Sequence, residues 1–359
     1  MKKYLIKRLL FIPVTLFLIM AVNFIFIQMA PGGPVEQMML KLEGNNASAL
    51  SRISGGSTEM KAASSSKYQG AQGVREDLIE SLKKEFGFDK PLPMRFLTMI
   101  KKYLVFDFGK SFYQDKSVLD LIKEKMPVSV SLGLWSTLLI YLISIPLGIK
   151  KAVKDGTGFD VFTSFLIIIG YAIPSFLFAI FLVILFAGGE YFSLFPLRGL
   201  VSDNFAELSF LGKIADYFWH MTLPVLAMVI GGFAGLTMLT KNAFLDEMKK
   251  NYVMTAKAKG LSKKKILYGH IFRNAMLIVV AGFPATLVGL LFTGSVLIEV
   301  IFSLDGLGLL GYEAVLNRDY PIIFGTLYLF ALLGLVLNLI SDLTYHLIDP
   351  RIDFEGRKK

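Results

Sequence analysis

Six long apolar runs constrain what this chain can fold into more than any other feature of the sequence. The runs occupy residues 9–30, 128–149, 161–187, 222–240, 276–298 and 322–347. Each has about the 20 residues with which a helix crosses roughly 30 Å of hydrocarbon. We therefore predict an all-α polytopic membrane protein with six transmembrane helices.

Composition supports a membrane protein and argues against several other classes. The chain is 54% hydrophobic and 18% charged, whereas an average soluble domain is roughly 25% charged. Its formal charge of +10 would suit a nucleic-acid-binding protein, but the basic residues lie beside the apolar runs, where they set membrane orientation. We therefore expect no nucleic-acid partner. Cysteine is absent, which excludes disulfides, thiolate nucleophiles and cysteine-ligated metals.

Lysine and arginine are distributed unevenly among the segments that flank the apolar runs. The segments that share an excess of them are residues 1–8, 150–154, 241–275 and 351–359. The loops 188–221 and 302–321 together hold three basic residues. Because short cytoplasmic loops carry the excess of positive charge, both termini and the segment 241–275 are expected in the cytoplasm.

These assignments divide the chain into four regions. They are an N-terminal tail with the first helix, an external (periplasmic) domain, a five-helix membrane core and a cytoplasmic tail, at residues 1–30, 31–127, 128–348 and 349–359. Within the external domain, residues 44–73 are rich in Ser, Gly, Asn and Ala and are expected to be flexible. Three helical segments separated by prolines are predicted after that stretch, over residues 74–86, 92–105 and 118–125.

The segment 241–275, called the basic loop below, is too polar for lipid and is patterned like a pair of helices. Leu245, Met248, Tyr252 and Ala256 follow a near-helical spacing. Their apolar stripe is therefore expected to face a partner while the lysines face water. We interpret the loop as a docking surface.

A glycine divides the basic loop. Gly260 is expected to end the first helix, and Ser262 to cap the N-terminus of a second one. Lys263, Lys264 and Lys265 then fall in the first turn of that helix, where the macrodipole disfavours cations by roughly 0.3–1 kcal/mol each. Such a local conflict indicates a function. The alternative is that these lysines only hold the loop in the cytoplasm.

Prolines and glycines mark special places in the apolar runs. Pro174 and Pro284 are expected to break their helices within the membrane, which is tolerated chiefly where neighbouring helices or water satisfy the backbone. They are therefore candidates for a transport path. A G-x-x-x-G pair, Gly231 and Gly235, predicts close packing of the fourth helix against a neighbour.

Few ionisable residues lie deep in apolar sequence. Glu299 and Asp342 are the deepest, and both structural pairing and a role in a transport path stay open for them. Arg198 lies in a short outside loop, where it could attract an anionic group or form an ordinary salt bridge. A proton-driven carrier usually has more such groups, which disfavours that class.

Signatures of common enzymes are missing from the sequence. The nearest match to a phosphate-binding loop lies at residues 108–111, but Leu104 stands where the motif needs a glycine. No H-E-x-x-H or G-x-S-x-G motif occurs. His220, His270 and His346 are far apart in sequence, so no shared metal site is expected. We therefore predict a non-catalytic chain that binds no metal or cofactor.

Residues 252–261, which read YVMTAKAKGL, resemble the cytoplasmic coupling loop of ABC-importer membrane subunits, specifically of the oligopeptide/dipeptide permease branch. Residues 254–256 stand where the general signature begins Glu-Ala-Ala, and Arg273 and Asn274 replace its final Leu-Pro, a departure that this branch shares. Further matches to the branch follow in order along the chain, at residues 4–10, 30–32, 302–308, 317–321 and 349–351.

The resemblance implies the fold of a type I ABC importer permease in a bacterial inner membrane. It implies four partners: an ATP-binding cassette subunit that holds ATP and Mg, a second homologous permease, an extracytoplasmic peptide-binding protein and membrane lipid. The implied cargo is an oligopeptide or a peptide-nucleotide antibiotic such as microcin C. An ion-gradient-driven secondary peptide carrier is the alternative.

Candidate site residues follow from the resemblance and from the patterns above. Those expected to couple the chain to the ATPase subunit are Tyr252, Thr255, Ala256, Ala258, Lys259, Gly260 and Leu261. Candidates for the transport path or its gate are Pro174, Pro284, Glu299, Arg198, Asp305, Arg318 and Asp319.

Overall fold

The computed structural model describes residues 2–29, 89–188, 191–292 and 296–348. Its helices, in chain order, are α1 Lys2–Met29, α2 Leu92–Tyr103, α3 Val118–Val153, α4 Gly158–Ala172, α5 Ser175–Phe186, α6 Phe210–Met248, α7 Asn251–Ala258, α8 Lys263–Ile266, α9 Phe272–Phe292, α10 Val296–Ile301, α11 Leu307–Asn317 and α12 Tyr320–Ile348. The flexible stretch predicted at 44–73, the helix predicted at 74–86 and the tail at 349–359 lie outside the described residues.

The six expected apolar spans are present. Helices α1, α3, α6 and α12, and the helical stretch from α8 into α9, are each long and apolar enough to cross a membrane. The pair α4 and α5 gives the sixth span, with a bend of 92° between them. Ile173 and Pro174 have extended backbones at the bend, because proline lacks an N–H and forces the preceding residue out of the helical region. The break predicted at Pro174 is confirmed.

Two other predicted breaks are wrong. Pro284 lies inside α9, and Pro127 lies inside α3, so the segment predicted at 118–125 is the start of a 36-residue helix. A proline within a helix removes one backbone hydrogen bond and leaves those on either side. Burial of Val118 and Leu121 anchors the turns before Pro127, so the helix continues through it. The segment predicted at 92–105 is confirmed as α2.

Helix α6 is central to the larger of two compact units. This unit comprises Met1–Ile12, Ile122–Tyr312 and Phe330–Lys359. Helix α6 packs against α4, α5 and α9, and its buried residues share one core with Leu132 of α3, Ala179 of α5 and Ile298 of α10. The bent span and the beginning of the basic loop are therefore both positioned by one helix.

Helices α3 and α6 approach each other closely at two glycines. A Cβ atom on Gly148 would lie 2.8 Å from the carbonyl oxygen of Thr237, and one on Gly232 would lie 2.5 Å from Cδ1 of Ile140. The predicted pair behaves differently, because a Cβ on Gly235 would meet nothing within 4 Å. The G-x-x-x-G prediction therefore chose the correct helix but the wrong register.

Aromatic side chains fill the smaller unit. This unit comprises Pro13–Leu121 and Glu313–Leu329. The ring of Phe24 lies 5.2 Å from Phe96 and 5.8 Å from Phe324, measured between centroids. Tyr103 lies 4.9 Å from Phe108 in the same way. These contacts join α1, α2 and the first turns of α12.

Replacement of Gly148 by alanine should destabilise the protein. The added methyl group meets a backbone carbonyl that cannot move without shifting α6, and overpacking of this kind costs typically 1–3 kcal/mol. Thermal unfolding in detergent measures the effect. The matched control is Gly235→Ala, which should be neutral or stabilising by up to about 1 kcal/mol, as expected for alanine in a helix. Equal destabilisation by both variants would contradict the close crossing.

Candidate coupling surface

Helix α7, within the basic loop, lies on a small apolar core of its own. We call this core the coupling cluster; its buried members are Ile149, Ala152, Phe244, Val253, Ala256, Ile266, Ile271 and Ala275. Helix α7 contributes only Val253 and Ala256 to it. The cluster therefore joins the end of α3, the end of α6 and the beginning of α9 beneath a short helix.

The apolar stripe predicted to face a partner faces the protein interior instead. Ala256 is buried in the coupling cluster, and Leu245, Met248 and Tyr252 pack against it. The reason is the end of α6 at Met248: the chain restarts as a separate helix, which needs the stripe to hold it in place. The exposed residues of the basic loop, called the coupling surface below, include Asn251, Met254, Thr255, Ala258, Lys259, Lys263, Lys264 and Lys265.

Gly260 ends α7 in the way the sequence predicts. Its φ of 76° lies in the left-handed region, which glycine adopts without steric cost. The Gly260 N–H donates to the Lys257 carbonyl at 3.0 Å, and the Leu261 N–H donates to the Ala256 carbonyl at 3.3 Å. This pair of bonds is a Schellman motif, in which the residue after the glycine packs back on the helix. Leu261 does so against the coupling cluster.

The second helix of the basic loop begins as predicted and then widens. Ser262 Oγ accepts a hydrogen bond from the Lys265 N–H at 3.4 Å, so Ser262 is the N-cap. Lys263, Lys264 and Lys265 occupy the first turn and are exposed. A π turn at Leu267–Ile271 then leads into α9. The sequence pattern did not indicate this π turn. Turns of this kind are found frequently at functional sites.

Tyr252 bridges the break between α6 and α7. Its hydroxyl donates a hydrogen bond to Oε2 of Glu247 at 2.7 Å. Burial and this carboxylate raise the pKa of Tyr252 to about 12, so the hydroxyl keeps its proton at neutral pH and remains a donor. Of the predicted coupling residues, Tyr252, Ala256, Gly260 and Leu261 thus shape the loop. Thr255, Ala258 and Lys259 belong to the exposed coupling surface.

A buried carboxylate beside the coupling cluster was missed by the sequence analysis. Asp160, in the first turn of α4, lies 2.9 Å from Nζ of Lys151 and 2.7 Å from Nζ of Lys241. The Lys151 side chain is 0% exposed. The sequence analysis had counted this lysine only among the basic residues that set the orientation of the chain in the membrane. Asp160 and Lys241 are separated by 81 positions in the sequence, so no local pattern indicates that they pair. The one available signal was an acidic residue at the start of an apolar run.

Glu299 holds the beginning of α11. It is fully buried, and its Oε2 accepts a hydrogen bond from the Leu309 N–H at 2.6 Å. Ser129 Oγ accepts the neighbouring Leu307 N–H at 2.8 Å. The first turn of a helix has free N–H groups and a partial positive charge, so a carboxylate there is stabilising. Glu299 thus has structural contacts, and its role in a transport path stays a prediction.

The other path candidates are distributed over separate places. Asp305 forms an ion pair with Lys125. The side chain of Arg198 is exposed, while its carbonyl oxygen accepts a hydrogen bond from His220 Nδ1 at 3.1 Å. On the other side of the same ring, Nε2 of His220 lies 3.0 Å from Ser202 Oγ. The histidine thus joins this loop to α6 through hydrogen bonds.

Arg318 and Asp319 lie at the start of α12, in the smaller unit. Asp319 is buried and accepts hydrogen bonds from Ser111 Oγ at 2.5 Å and from the Phe112 N–H at 3.2 Å. Burial raises its pKa above the ordinary value, against the opposing effect of these hydrogen bonds. Arg318 has a φ of 56°, a strained value for a residue with a side chain. Pro174 is the one path candidate that lies at a break in a span.

Removal of the Glu299 carboxylate should destabilise the protein. Glu299→Ala leaves the Leu309 N–H, at the start of α11, without its acceptor, and an unsatisfied N–H costs about 1–3 kcal/mol. Glu299→Gln keeps an oxygen and should lose less. Thermal unfolding in detergent measures both changes. The control is Glu313→Ala, which removes an exposed carboxylate from α11. A stable Glu299→Ala variant would contradict the structural role.

Comparison with known proteins identifies the family. The family model for the inner membrane component of binding-protein-dependent transport systems matches residues 144–354, which include the coupling cluster, Asp160 and Glu299. The chain is 59% identical to an inner membrane ABC transporter permease protein, YejB, of Escherichia coli O157:H7, over 99% of this chain and 100% of the relative. It is 60% identical, with the same coverage, to the peptidoglycan transport system permease protein YejB of Agrobacterium fabrum.

A more distant relative has the same length of match. The oligopeptide transport system permease protein AppB of Bacillus subtilis is 32% identical over 99% of this chain and 100% of its own. The chain therefore belongs to the family of inner membrane components of binding-protein-dependent transport systems.

Proposed function

We propose that this chain is the pore subunit of an ATP-driven importer of peptides, and that its coupling surface docks on a separate ATP-binding cassette subunit. One observation carries the proposal. In this member of the family, the short helix α7 of the basic loop packs on the coupling cluster and exposes its other side. Val253 and Ala256 face inward while Met254, which is 61% exposed, faces outward. Methionine is over-used at binding surfaces, because its flexible thioether side chain adapts to a partner.

The energy needed to switch the pore between two states supports the proposal of a separate ATPase subunit. Switching a two-state gate from 1:99 to 99:1 requires about 5.5 kcal/mol of differential binding. A partner that grips the coupling surface differently in its two states could supply this energy. The coupling surface is rich in lysine, so the matching cleft of the partner is expected to be acidic.

The cargo is proposed from the transport systems to which the relatives belong. One relative is a peptidoglycan transport permease and another an oligopeptide transport permease, and the chemistry shared by their cargoes is a short peptide. A peptide-nucleotide antibiotic such as microcin C would present the same element. We propose that an extracytoplasmic peptide-binding protein delivers the cargo and that a second, homologous permease completes the pore.

Orientation is proposed from the distribution of charge. The positive-inside rule places the lysines of the coupling surface in the cytoplasm, where ATP is available to the partner. The N-terminus and C-terminus would lie on the same side, in the bacterial inner membrane. ATP and Mg would be bound by the partner subunit and not by this chain.

A secondary carrier driven by an ion gradient is not favoured. Family membership points to a system that depends on a binding protein. The two deepest carboxylates also have structural partners. Glu299 accepts a hydrogen bond from an N–H at the start of α11. Oδ2 of Asp342 lies 3.0 Å from a guanidinium nitrogen of Arg8 and accepts a hydrogen bond from the Tyr4 hydroxyl at 2.9 Å. Neither is poised as an isolated ion-binding group.

Reconstitution should decide between the two energy sources. The complex of this chain with its second permease, ATPase subunit and binding protein, in proteoliposomes, should take up a labelled oligopeptide only when ATP is enclosed on the ATPase side. This chain alone should take up none under a proton or sodium gradient. Gradient-driven uptake by the chain alone would contradict the proposal. Competition with a disaccharide-free peptidoglycan stem peptide and with microcin C would define the cargo.

A charge placed on the coupling surface should weaken docking. Ala258 is exposed on α7, so Ala258→Glu leaves the coupling cluster intact and sets a carboxylate against the acidic cleft. We expect a loss of at least about 2 kcal/mol, the scale of an interface hot spot, measured as affinity for the purified ATPase subunit. The control is Ala215→Glu, at an exposed alanine near the opposite end of α6. Equal affinity of both variants would refute the docking site.

A further inference from the structure

We propose that Asp160 is a positioning residue that connects the coupling surface to the bent span α4 and α5. This inference rests on the proposed function, because it concerns how docking and ATP hydrolysis would reach the membrane helices. It is carried by two lysines that hold one carboxylate: Lys151, whose side chain is 0% exposed, and Lys241, whose side chain is 11% exposed.

The two lysines are placed on the helices that carry the coupling cluster. Lys151 stands between Ile149 and Ala152 of α3, both buried in that cluster. Lys241 lies three residues before Phe244 of α6, which is completely buried there. Since each lysine is within one helical turn of the coupling cluster, a displacement of α7 on that cluster displaces both ammonium groups.

The ammonium group of Lys151 directs its contacts to α4. Besides the Asp160 carboxylate, its Nζ donates hydrogen bonds to the Asp160 carbonyl at 2.9 Å, to Thr163 Oγ1 at 2.9 Å and to Ser164 Oγ at 2.7 Å. All of these acceptors lie in the first two turns of α4. Lys241 holds the other carboxylate oxygen at 2.7 Å. The start of α4 is therefore fixed to α3 and to α6 at one point.

Helix α4 packs against α6 but has few buried residues. Of its 15 residues, only Asp160 and Ile167 are buried, and its remaining surface is mostly apolar and exposed. The helix ends at Ile173, where the bend of 92° leads into α5. A rotation imposed on the first turn at Asp160 is thus transmitted along α4 to the bend at Pro174.

A buried ion pair suits a positioning role better than a stabilising one. Desolvation of two charges offsets much of their attraction, so apolar residues of similar volume often stabilise as well. An ion pair with directed hydrogen bonds, however, permits only a small set of geometries. Lys151 and Asp160 therefore specify the orientation of α4 with respect to α3, which a methionine and a leucine would leave free.

The test is the number of peptides transported per ATP hydrolysed by the reconstituted complex. Asp160→Asn removes the charge that both lysines share, and we expect this ratio to fall about 5-fold to 150-fold, the range of typical coupling free energies, while binding to the ATPase subunit persists. The control is Asp155→Asn, since Asp155 is 51% exposed and contacts only the outer side of Lys241. This variant should change the ratio by less than about twofold, as exposed ion pairs contribute little.

A second variant tests the proposal in case Asp160→Asn does not fold. Asp160→Asn leaves the Lys151 ammonium buried without its counter-ion, which can prevent assembly. The double variant Lys151→Met, Asp160→Asn removes both charges and should assemble with the same loss of transport per ATP. A wild-type ratio in either assembled variant overturns the role of Asp160. Absence of ATP-dependent uptake in the wild-type complex would instead refute the proposed function.

Discussion

Charges and helix ends buried in an apolar bundle must find partners within the protein, and this constraint organises the larger unit. Burying an ion without a partner is costly, and a helix end leaves several backbone groups unsatisfied. The chain meets each cost with a buried carboxylate. Asp160 pairs with two lysines, and Glu299 accepts the Leu309 N–H at the start of α11. Asp160 and Glu299 are consequently points at which two or three helices are joined.

Local sequence rules predicted the architecture well. Each apolar span is long enough to be recognised as a membrane helix from the sequence. A helix is expected there because a single segment in lipid can satisfy its backbone hydrogen bonds only as a helix. The turn at Gly260 and the cap at Ser262 were equally accessible, since both depend on residues within one turn of each other. The family was recognisable from residues 252–261 for the same reason, because the residues of this motif are contiguous in the sequence.

Contacts between distant residues were not predictable in this way. Nothing in a single sequence connects Asp160 with Lys241, or Glu299 with Ser129, because neither periodicity nor spacing carries the information. Prolines misled for a related reason. Pro174 breaks a helix and Pro284 does not, and tertiary packing, not the local cost of a lost hydrogen bond, decides between these outcomes. The inward direction of Tyr252 and Ala256 depended likewise on the unforeseen end of α6 at Met248.

The Schellman motif at the end of α7 has a consequence for how this surface can evolve. The residues that fix the backbone, Ala256, Gly260 and Leu261, all point inward or act through their main chain. The outward side chains are not part of this motif. Mutation can therefore retune which subunit is recognised, one side chain at a time, while the platform that presents those side chains stays the same.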